Sequence, residues 1–384
     1  MTIPRRIQDI QPFHVMALLA RAKELEAQGK DIVHMEIGEP DFPTPQPIID
    51  AGIAAITTGN VHYTSAVGLP ELREAIAAFY LSRYGVAVSS NRIVITPGAS
   101  GALMLALGVI MREGDEIILA DPGYPCNRNF VRFLSGKTHA IAVDASTGYQ
   151  LTLQHLQQNW NNKTVAALVA SPSNPTGTLI SKTELSEMAS FAKEKGGYLI
   201  VDEIYLGLVY DVEVSTALSL DSNVIVINSF SKYFNMTGWR VGWVVAPEEL
   251  INDMDKLAQN IFLAAPTPAQ YAAIAAFKPE TISILESQKE EFKQRRDYLL
   301  PALKQLGFKI ETQPQGAFYI YANCEKFSAD SYRFAYDLLE KIGVAITPGK
   351  DFGDNRANTY VRFAYTTSIA NLEKGIKRLS EYLI

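Results

Sequence analysis

Tyr198-Leu-Ile-Val-Asp-Glu-Ile-Tyr205 runs apolar residues together without a break and closes them with two adjacent carboxylates and a tyrosine. A strand with one wet face would alternate, so an unbroken run of this kind reads as a strand buried on both faces. The pattern recurs on either side. Arg92-Ile-Val-Ile-Thr96, Glu116-Ile-Ile-Leu-Ala120, Thr138 to Val143, Val165-Ala-Ala-Leu-Val-Ala170 and Val224-Ile-Val-Ile227 all read as strands. Between them Ala99 to Arg112, Pro125 to Leu134 and Ser181 to Lys195 read as helices. In the last of these, Glu184 and Glu187 sit early and Lys193 and Lys195 late, as the helix dipole favours. Buried strands alternating with helices predict an α/β fold whose mostly parallel sheet is covered on both faces.

The two ends of the chain read differently. Val15 to Gln28 is strongly helical and stops at Gly29. Thr281 to Leu306 reads as one long charged helix in which Pro301 is a candidate break. Short strands at Ala317 to Tyr321 and Tyr360 to Phe363, with helices at Asp330 to Lys341 and Ile369 to Tyr382, complete the chain. The expected organisation is an arm over 1–12, a smaller α+β domain from 13–45 and 281–384, and a large domain over 46–280.

Composition narrows the function classes. The 384 residues are 47% hydrophobic, enough for a sizeable core, and carry a net charge of −6. No basic footprint suggests nucleic acid or an anionic membrane. Cys126 and Cys324 are far apart, with no spacing for a metal or a disulfide framework. The apolar stretch Gly101 to Met111 is too short to span a bilayer. The early Arg5 and Arg6 precede no apolar segment of the signal-peptide kind. The expectation is a cytoplasmic protein with no metal site and neither nucleic acid nor membrane as a partner.

In an open parallel sheet, ligands bind beyond the C-terminal ends of the strands, and the chemically suggestive residues fall there. Asn228-Ser-Phe-Ser-Lys-Tyr-Phe-Asn-Met-Thr-Gly-Trp-Arg240 places a lysine, Lys232, beside Ser229 and Ser231, with a Thr-Gly turn that returns Arg240 toward them. An amine able to form a Schiff base, next to a hydroxyl and guanidinium anion site, suggests pyridoxal phosphate. Pro97-Gly-Ala-Ser-Gly-Ala102 opens a helix whose free N–H groups could seat a phosphate. Tyr124, after a Pro-Gly turn, could stack on a flat ring. Asn174, between two prolines, could offer a fixed amide. Asp202, at the end of an apolar strand, needs a cation, and a pyridinium N–H is one. Each segment also has a plain structural reading, as a turn, a packing aromatic, a loop or a salt bridge. No G-x-x-x-x-G-K-[ST] or G-x-G-x-x-G run is present, which disfavours nucleotide and dinucleotide sites.

Taken in order, the segments form a set. They are Gly38-Glu-Pro-Asp-Phe-Pro-Thr-Pro45, Tyr63 with Gly68-Leu-Pro-Glu-Leu-Arg73, Pro97-Gly-Ala-Ser100, Tyr124-Pro125, Asn174-Pro-Thr-Gly177, Asp202-Glu-Ile-Tyr205, Ser229-Phe-Ser-Lys232, Gly238-Trp-Arg-Val-Gly242, Gly316-Ala-Phe-Tyr319 and Val361-Arg-Phe363. In this the chain resembles the class I/II aminotransferases, the aspartate aminotransferase-like enzymes of pyridoxal phosphate fold type I, over essentially its whole length. The resemblance implies a seven-stranded type of sheet. It also implies that Lys232 holds the cofactor and shuttles the substrate Cα proton, that Asp202 pairs with the ring nitrogen, and that Tyr205 and Asn174 bond the phenolic oxygen. By the same resemblance Tyr124 stacks on the ring, and Ala99, Ser100, Ser229 and Arg240 bind the phosphate, with Ser231 a lesser candidate. Tyr63 would reach the phosphate of a neighbouring subunit, making the active site that of a homodimer. Arg362 would clamp the substrate α-carboxylate, helped by the backbone at Gly38 and by Asn174.

An aminotransferase of this kind moves an amino group from an L-amino acid to a 2-oxo acid in ping-pong fashion. Some aspartate-specific relatives carry a lysine at the position matching Ser100, and Ile10-Gln-Pro-Phe-His-Val-Met16, which by resemblance walls the substrate mouth, is mostly apolar. The reading therefore leans to a neutral or aromatic donor, with 2-oxoglutarate or pyruvate as acceptor. An aspartate aminotransferase and a C–S lyase on the same scaffold are the alternatives. An aminotransferase-like regulator would need an added DNA-binding segment.

Overall fold

The computed structural model describes residues 5–10, 12–220 and 223–383. Parts of the expected arm, residues 1–4 and 11, lie outside the described residues. Helix His14–Ala27, a short strand, β1 (Val33–His34), and helices Gln46–Thr57 and Pro70–Tyr84 precede the main sheet along the chain. Then follow β2 (Ile93–Thr96), β3 (Glu116–Asp121), β4 (Lys137–Ala142), β5 (Thr164–Ala170), β6 (Tyr198–Asp202), β7 (Val224–Ser229) and β8 (Gly242–Val245). These seven form one sheet in the order β2-β8-β7-β6-β5-β3-β4. β8 runs antiparallel to both of its neighbours, and the other pairings are parallel. The expected mostly parallel sheet is what forms. β8 is an addition to the strands read from sequence, because four residues beginning at a glycine carry too little pattern.

The unbroken apolar runs have a direct structural meaning. Successive side chains on a strand point to opposite faces. Ile93, Ile95, Leu199, Val201, Val224, Val226, Trp243 and Val245 enter one buried cluster. Val94, Ile200, Ile225, Ile227 and Val244 enter a second on the other face. The helices over each face follow from local chemistry. Lys182–Glu194 begins where the Ser181 hydroxyl accepts from the Glu184 N–H at 3.1 Å. Pro70–Tyr84 starts on its proline and ends where Gly85 turns left-handed.

The chain ends build two further sheets. β9 (Tyr319–Asn323), β10 (Val344–Ala345), β11 (Thr347–Pro348) and β12 (Tyr360–Ala364) follow the 28-residue helix Pro279–Leu306. β11-β12-β9 is antiparallel, while β10 pairs in parallel with β1, joining Val33 to Val344 across the length of the chain. Pro301 does not break its helix, which continues to Leu306. The proline sits on the exposed side, where water can take up the carbonyl that loses its partner. Among the described residues no helix is long and apolar enough to cross a membrane.

Candidate active site

A cleft of about 410 Å³ opens along the edge of the large sheet where its parallel strands end. β2, β3, β5, β6 and β7 deliver their C-terminal ends there, and antiparallel β8 presents its N-terminal end. Ala99, Ser100, Tyr124, Asn174, Asp202, Tyr205, Ser229, Ser231, Lys232, Arg240, Gly38 and Arg362 all line it. Tyr63 does not. Its side chain is 85% exposed, outside the cleft.

The floor is tight backbone. Helix Gly98–Ile110 starts at Pro97 with no side-chain cap, so its first N–H groups face the cleft end. Gly98 is left-handed at φ +69°, and a Cβ there would sit 2.5 Å from Arg240 Nη2. A Cβ on Gly242 would lie 2.8 Å from the Gly98 carbonyl carbon and 2.9 Å from Ala99 N. Arg240, itself left-handed at φ 54°, is thus drawn against the helix start. Its Nη1 donates to the Thr237 carbonyl at 2.7 Å and approaches Ser231 Oγ at 3.5 Å. Ser229 Oγ donates to Ser231 Oγ at 2.9 Å and accepts from the Ser231 N–H at 3.1 Å. Open N–H groups, hydroxyls and a guanidinium converge here, a set that could hold a phosphate.

The middle of the cleft carries the titrating groups. Lys232 Nζ donates to the Gly38 carbonyl at 2.6 Å. Burial pulls its amine down to about 8, Glu39 opposes this, and Arg362 and Arg240 add to it. Asp202, on the last residue of β6, is pushed up to about 6 by burial, against the Ile204 N–H that bonds its Oδ1 at 3.0 Å and against Lys232. A carboxylate raised by desolvation and aimed into a cleft is short of a cation. The Tyr205 hydroxyl pairs with that of Tyr319 at 2.8 Å. Burial raises both phenols.

The mouth is assembled from the chain ends. Arg362, on β12, donates through Nη1 to Asn174 Oδ1 at 2.9 Å and through Nη2 to the Glu36 carbonyl at 2.5 Å and Thr347 Oγ1 at 3.1 Å. Its Nε–H is buried with no partner. A guanidinium has five N–H donors; three are engaged here, and the Nε–H and one Nη1–H are uncommitted. Its carbon stands 4.2 Å from the Tyr319 ring centre. Phe13, Val15, Met16, Leu19, Ile37 and Phe352 make the remaining wall apolar.

Tyr319, Thr347, Asp351 and Phe352 are among the lining residues with no role assigned from sequence. Tyr319 belongs to the Gly316-Ala-Phe-Tyr motif, so its position was visible but not its contacts. Thr347, on β11, and Asp351 and Phe352, in the turn after it, carry no sequence signal and reach the cleft only through tertiary packing. Among the described residues, no group of three or more His, Cys, Asp or Glu side chains is placed to hold a metal ion.

Comparison with known proteins points the same way. The family model described as aminotransferase class I and II matches residues 30–379. The chain is 41% identical to a (5-formylfuran-3-yl)methyl phosphate transaminase of Methanocaldococcus jannaschii, over 99% of each chain. It is 37% identical to a valine–pyruvate aminotransferase of Mycobacterium tuberculosis, over 97% of each. A crystal structure of an aminotransferase from Mycobacterium tuberculosis superposes with a TM-score of 0.96 at 36% identity, covering 100% of this chain and 99% of the other.

Proposed function

Because the chain belongs to the class I and II aminotransferases, we propose that its cleft passes the amino group of a neutral or aromatic L-amino acid to a monocarboxylic 2-oxo acid such as pyruvate. A count of charges carries the substrate class. The cleft is lined by three cations from this chain, Lys232, Arg240 and Arg362, and by the carboxylates Glu39, Asp202 and Asp351. Arg240 would hold a cofactor phosphate, Arg362 would hold the substrate α-carboxylate, and Lys232 is reserved for proton transfer. Among the described residues of this chain no further cation lines the cleft to meet a second substrate carboxylate, and the wall from helix His14–Ala27 is apolar.

Enzymes of this family work with pyridoxal phosphate, which when bound supplies an electron sink for the donor's Cα as it loses its proton. The residues present fit that group. The uncapped helix start with Ser229 and Arg240 suits the phosphate, the buried Asp202 suits a ring N–H, and Tyr205 with Asn174 suits the ring oxygen. Burial lowers the Lys232 amine to about 8, which favours its neutral form relative to an exposed lysine. From inside the cleft the amine can take the donor's Cα proton, and it would return that proton to the cofactor carbon bonded to the amino nitrogen. Arg362 orients the donor so that the Cα–H bond faces Lys232.

The division into a body over 46–280, a unit from 13–45 with 281–384, and an arm over 1–12 is part of this proposal, as is a homodimer. Tyr63 supports the homodimer, because Ile53, Ile56 and Val61 on the same stretch are also exposed.

The test is a half-reaction panel. The purified protein with pyridoxal phosphate is mixed separately with alanine, valine, leucine, phenylalanine, aspartate and glutamate, following loss of the bound cofactor's visible absorbance and the 2-oxo acid formed. Neutral and aromatic donors should react, and Lys232→Ala should lower the rate by at least about 10³-fold. Aspartate reacting ten times faster than every neutral donor would sink the substrate class while leaving the transaminase.

A further inference from the structure

We propose that Asp351 is a positioning residue for donor specificity, fixing the apolar wall that a large donor side chain touches; this deepens the reading of the cleft as taking neutral side chains and rests on it. Asp351 is buried in the short turn between β11 and β12. Its Oδ1 accepts from the His14 N–H and its Oδ2 from the Val15 N–H, both at 2.8 Å. These are the first two residues of helix His14–Ala27, whose own preceding residue, Phe13, supplies no side-chain cap. A cap normally comes from the adjacent residue. Here it comes from the opposite end of the chain.

The loop that carries Asp351 is itself fastened to the large sheet. Arg128 Nη2 donates to the Asp351 carbonyl at 2.9 Å, and the Gly123 N–H donates to the Phe352 carbonyl at 2.8 Å. Asp121 Oδ2 accepts from the Asp354 and Asn355 N–H groups at 3.0 and 3.3 Å. Gly353 makes this docking possible, since a Cβ there would fall 1.7 Å from Asp121 Oδ1. The sheet edge bearing Tyr124 therefore fixes the loop, and the loop fixes the helix start. That first turn places Val15 and Met16, and the next turn Leu19, in the cleft wall. Met16 is 59% exposed, whereas Leu18, Ala22 and Leu25 on the other side of the helix are buried. Packing therefore holds the body of the helix, and Asp351 adds two hydrogen bonds that fix its first turn.

A long apolar donor gains from a wall that stays dry and still, whereas alanine is too short to reach it. Loss of the cap should therefore change selectivity and not the proton transfer at Lys232. The experiment compares wild type, Asp351→Asn and Asp351→Ala as full chains with pyridoxal phosphate, measuring kcat and KM for phenylalanine, leucine and alanine. Backbone hydrogen exchange over residues 14–19 is followed in the same preparations. In Asp351→Ala the ratio of kcat/KM for phenylalanine to that for alanine should fall roughly tenfold, chiefly through KM, and exchange over 14–19 should accelerate. Asp351→Asn keeps one acceptor oxygen and should fall between, which covers the case where the alanine variant fails to fold. An unchanged selectivity ratio in Asp351→Asn with a faster-exchanging helix start overturns the specificity role, and unchanged exchange overturns the anchoring itself. A wild type that turns over only acidic donors defeats the substrate reading separately, because the exchange comparison still decides whether Asp351 holds the helix.

Discussion

The floor of the cleft and its mouth are built by opposite means. The floor consists of strand ends and one helix start, with Gly98 and Gly242 bringing backbone within contact distance and Arg240 pulled in against it. Its parts lie a few residues from the buried strands that place them, and the sheet core makes them rigid. The mouth is gathered from segments far apart in the chain, with Gly38 and the His14 helix from one end and Asp351 and Arg362 from the other. It is held by individual side-chain bonds, such as Arg362 to Asn174 and Asp351 to His14. A packed backbone floor can keep one chemistry constant. A mouth held by separable bonds can change substrate without disturbing the floor.

Among substitutions that separate mouth from floor, Arg362→Lys gives the largest expected effect and tests whether the mouth acts on binding. The lysine ammonium has no planar fork and cannot serve Asn174, Glu36 and Thr347 while also meeting a carboxylate. Donor kcat/KM should fall about 10²-fold, mostly in KM, with bound-cofactor absorbance retained. Stopped-flow half-reactions with the preferred donor check this. Loss of cofactor binding together with donor binding would break the division between floor and mouth.

The same division explains what could be read from sequence. Lys232, Asp202, Tyr205 and Ser229 were legible because each ends an apolar strand or follows one closely, and strand ends in a parallel sheet share one edge; Arg240 was legible from the Thr-Gly turn that returns it. Asp351 was not, since its partner lies 337 residues away and a loop Asp carries no periodicity. Tyr319 stood in a quoted motif, yet its bond to Tyr205 depends on β9 packing across the cleft. Helix Gln46–Thr57 escaped notice because Ile53 and Ile56 face solvent, which blurs the pattern a buried face would leave. Pro301 reads as a break only if its exposed position is unknown.

Gly242→Ala should be next in size and probes the floor. Its methyl would press on Asn228 O, the Gly98 carbonyl carbon and Ala99 N at 2.8 to 2.9 Å. These are backbone atoms with no rotamer to yield, so the helix start must move away from Ser229 and Arg240. Overpacking of this kind costs about 1–3 kcal/mol. Pyridoxal phosphate affinity should fall about tenfold, measured by absorbance titration of cofactor-free protein, with donor selectivity unchanged. Affinity equal to wild type would mean that the floor is less rigid than its backbone contacts imply.

Tyr319→Phe is the smallest expected effect and the finest test, because Tyr319 touches both regions. Its ring lies against the Arg362 guanidinium at 4.2 Å, and its hydroxyl bonds Tyr205 at 2.8 Å. Phenylalanine keeps the ring and removes the bond. The cation–π contact with the carboxylate clamp survives, so donor KM should change less than twofold. Tyr205 loses its hydroxyl partner, and a single neutral hydrogen bond is worth about 0.5–1.5 kcal/mol net. The half-reaction rate should therefore fall by about 2- to 10-fold. A shift in the pH midpoint of the bound cofactor's visible absorbance should accompany it, since that oxygen is the one Tyr205 is proposed to meet. A rise in KM with kcat intact would reverse the assignment, placing the Tyr319 hydroxyl with the mouth and leaving Tyr205 held by the floor alone.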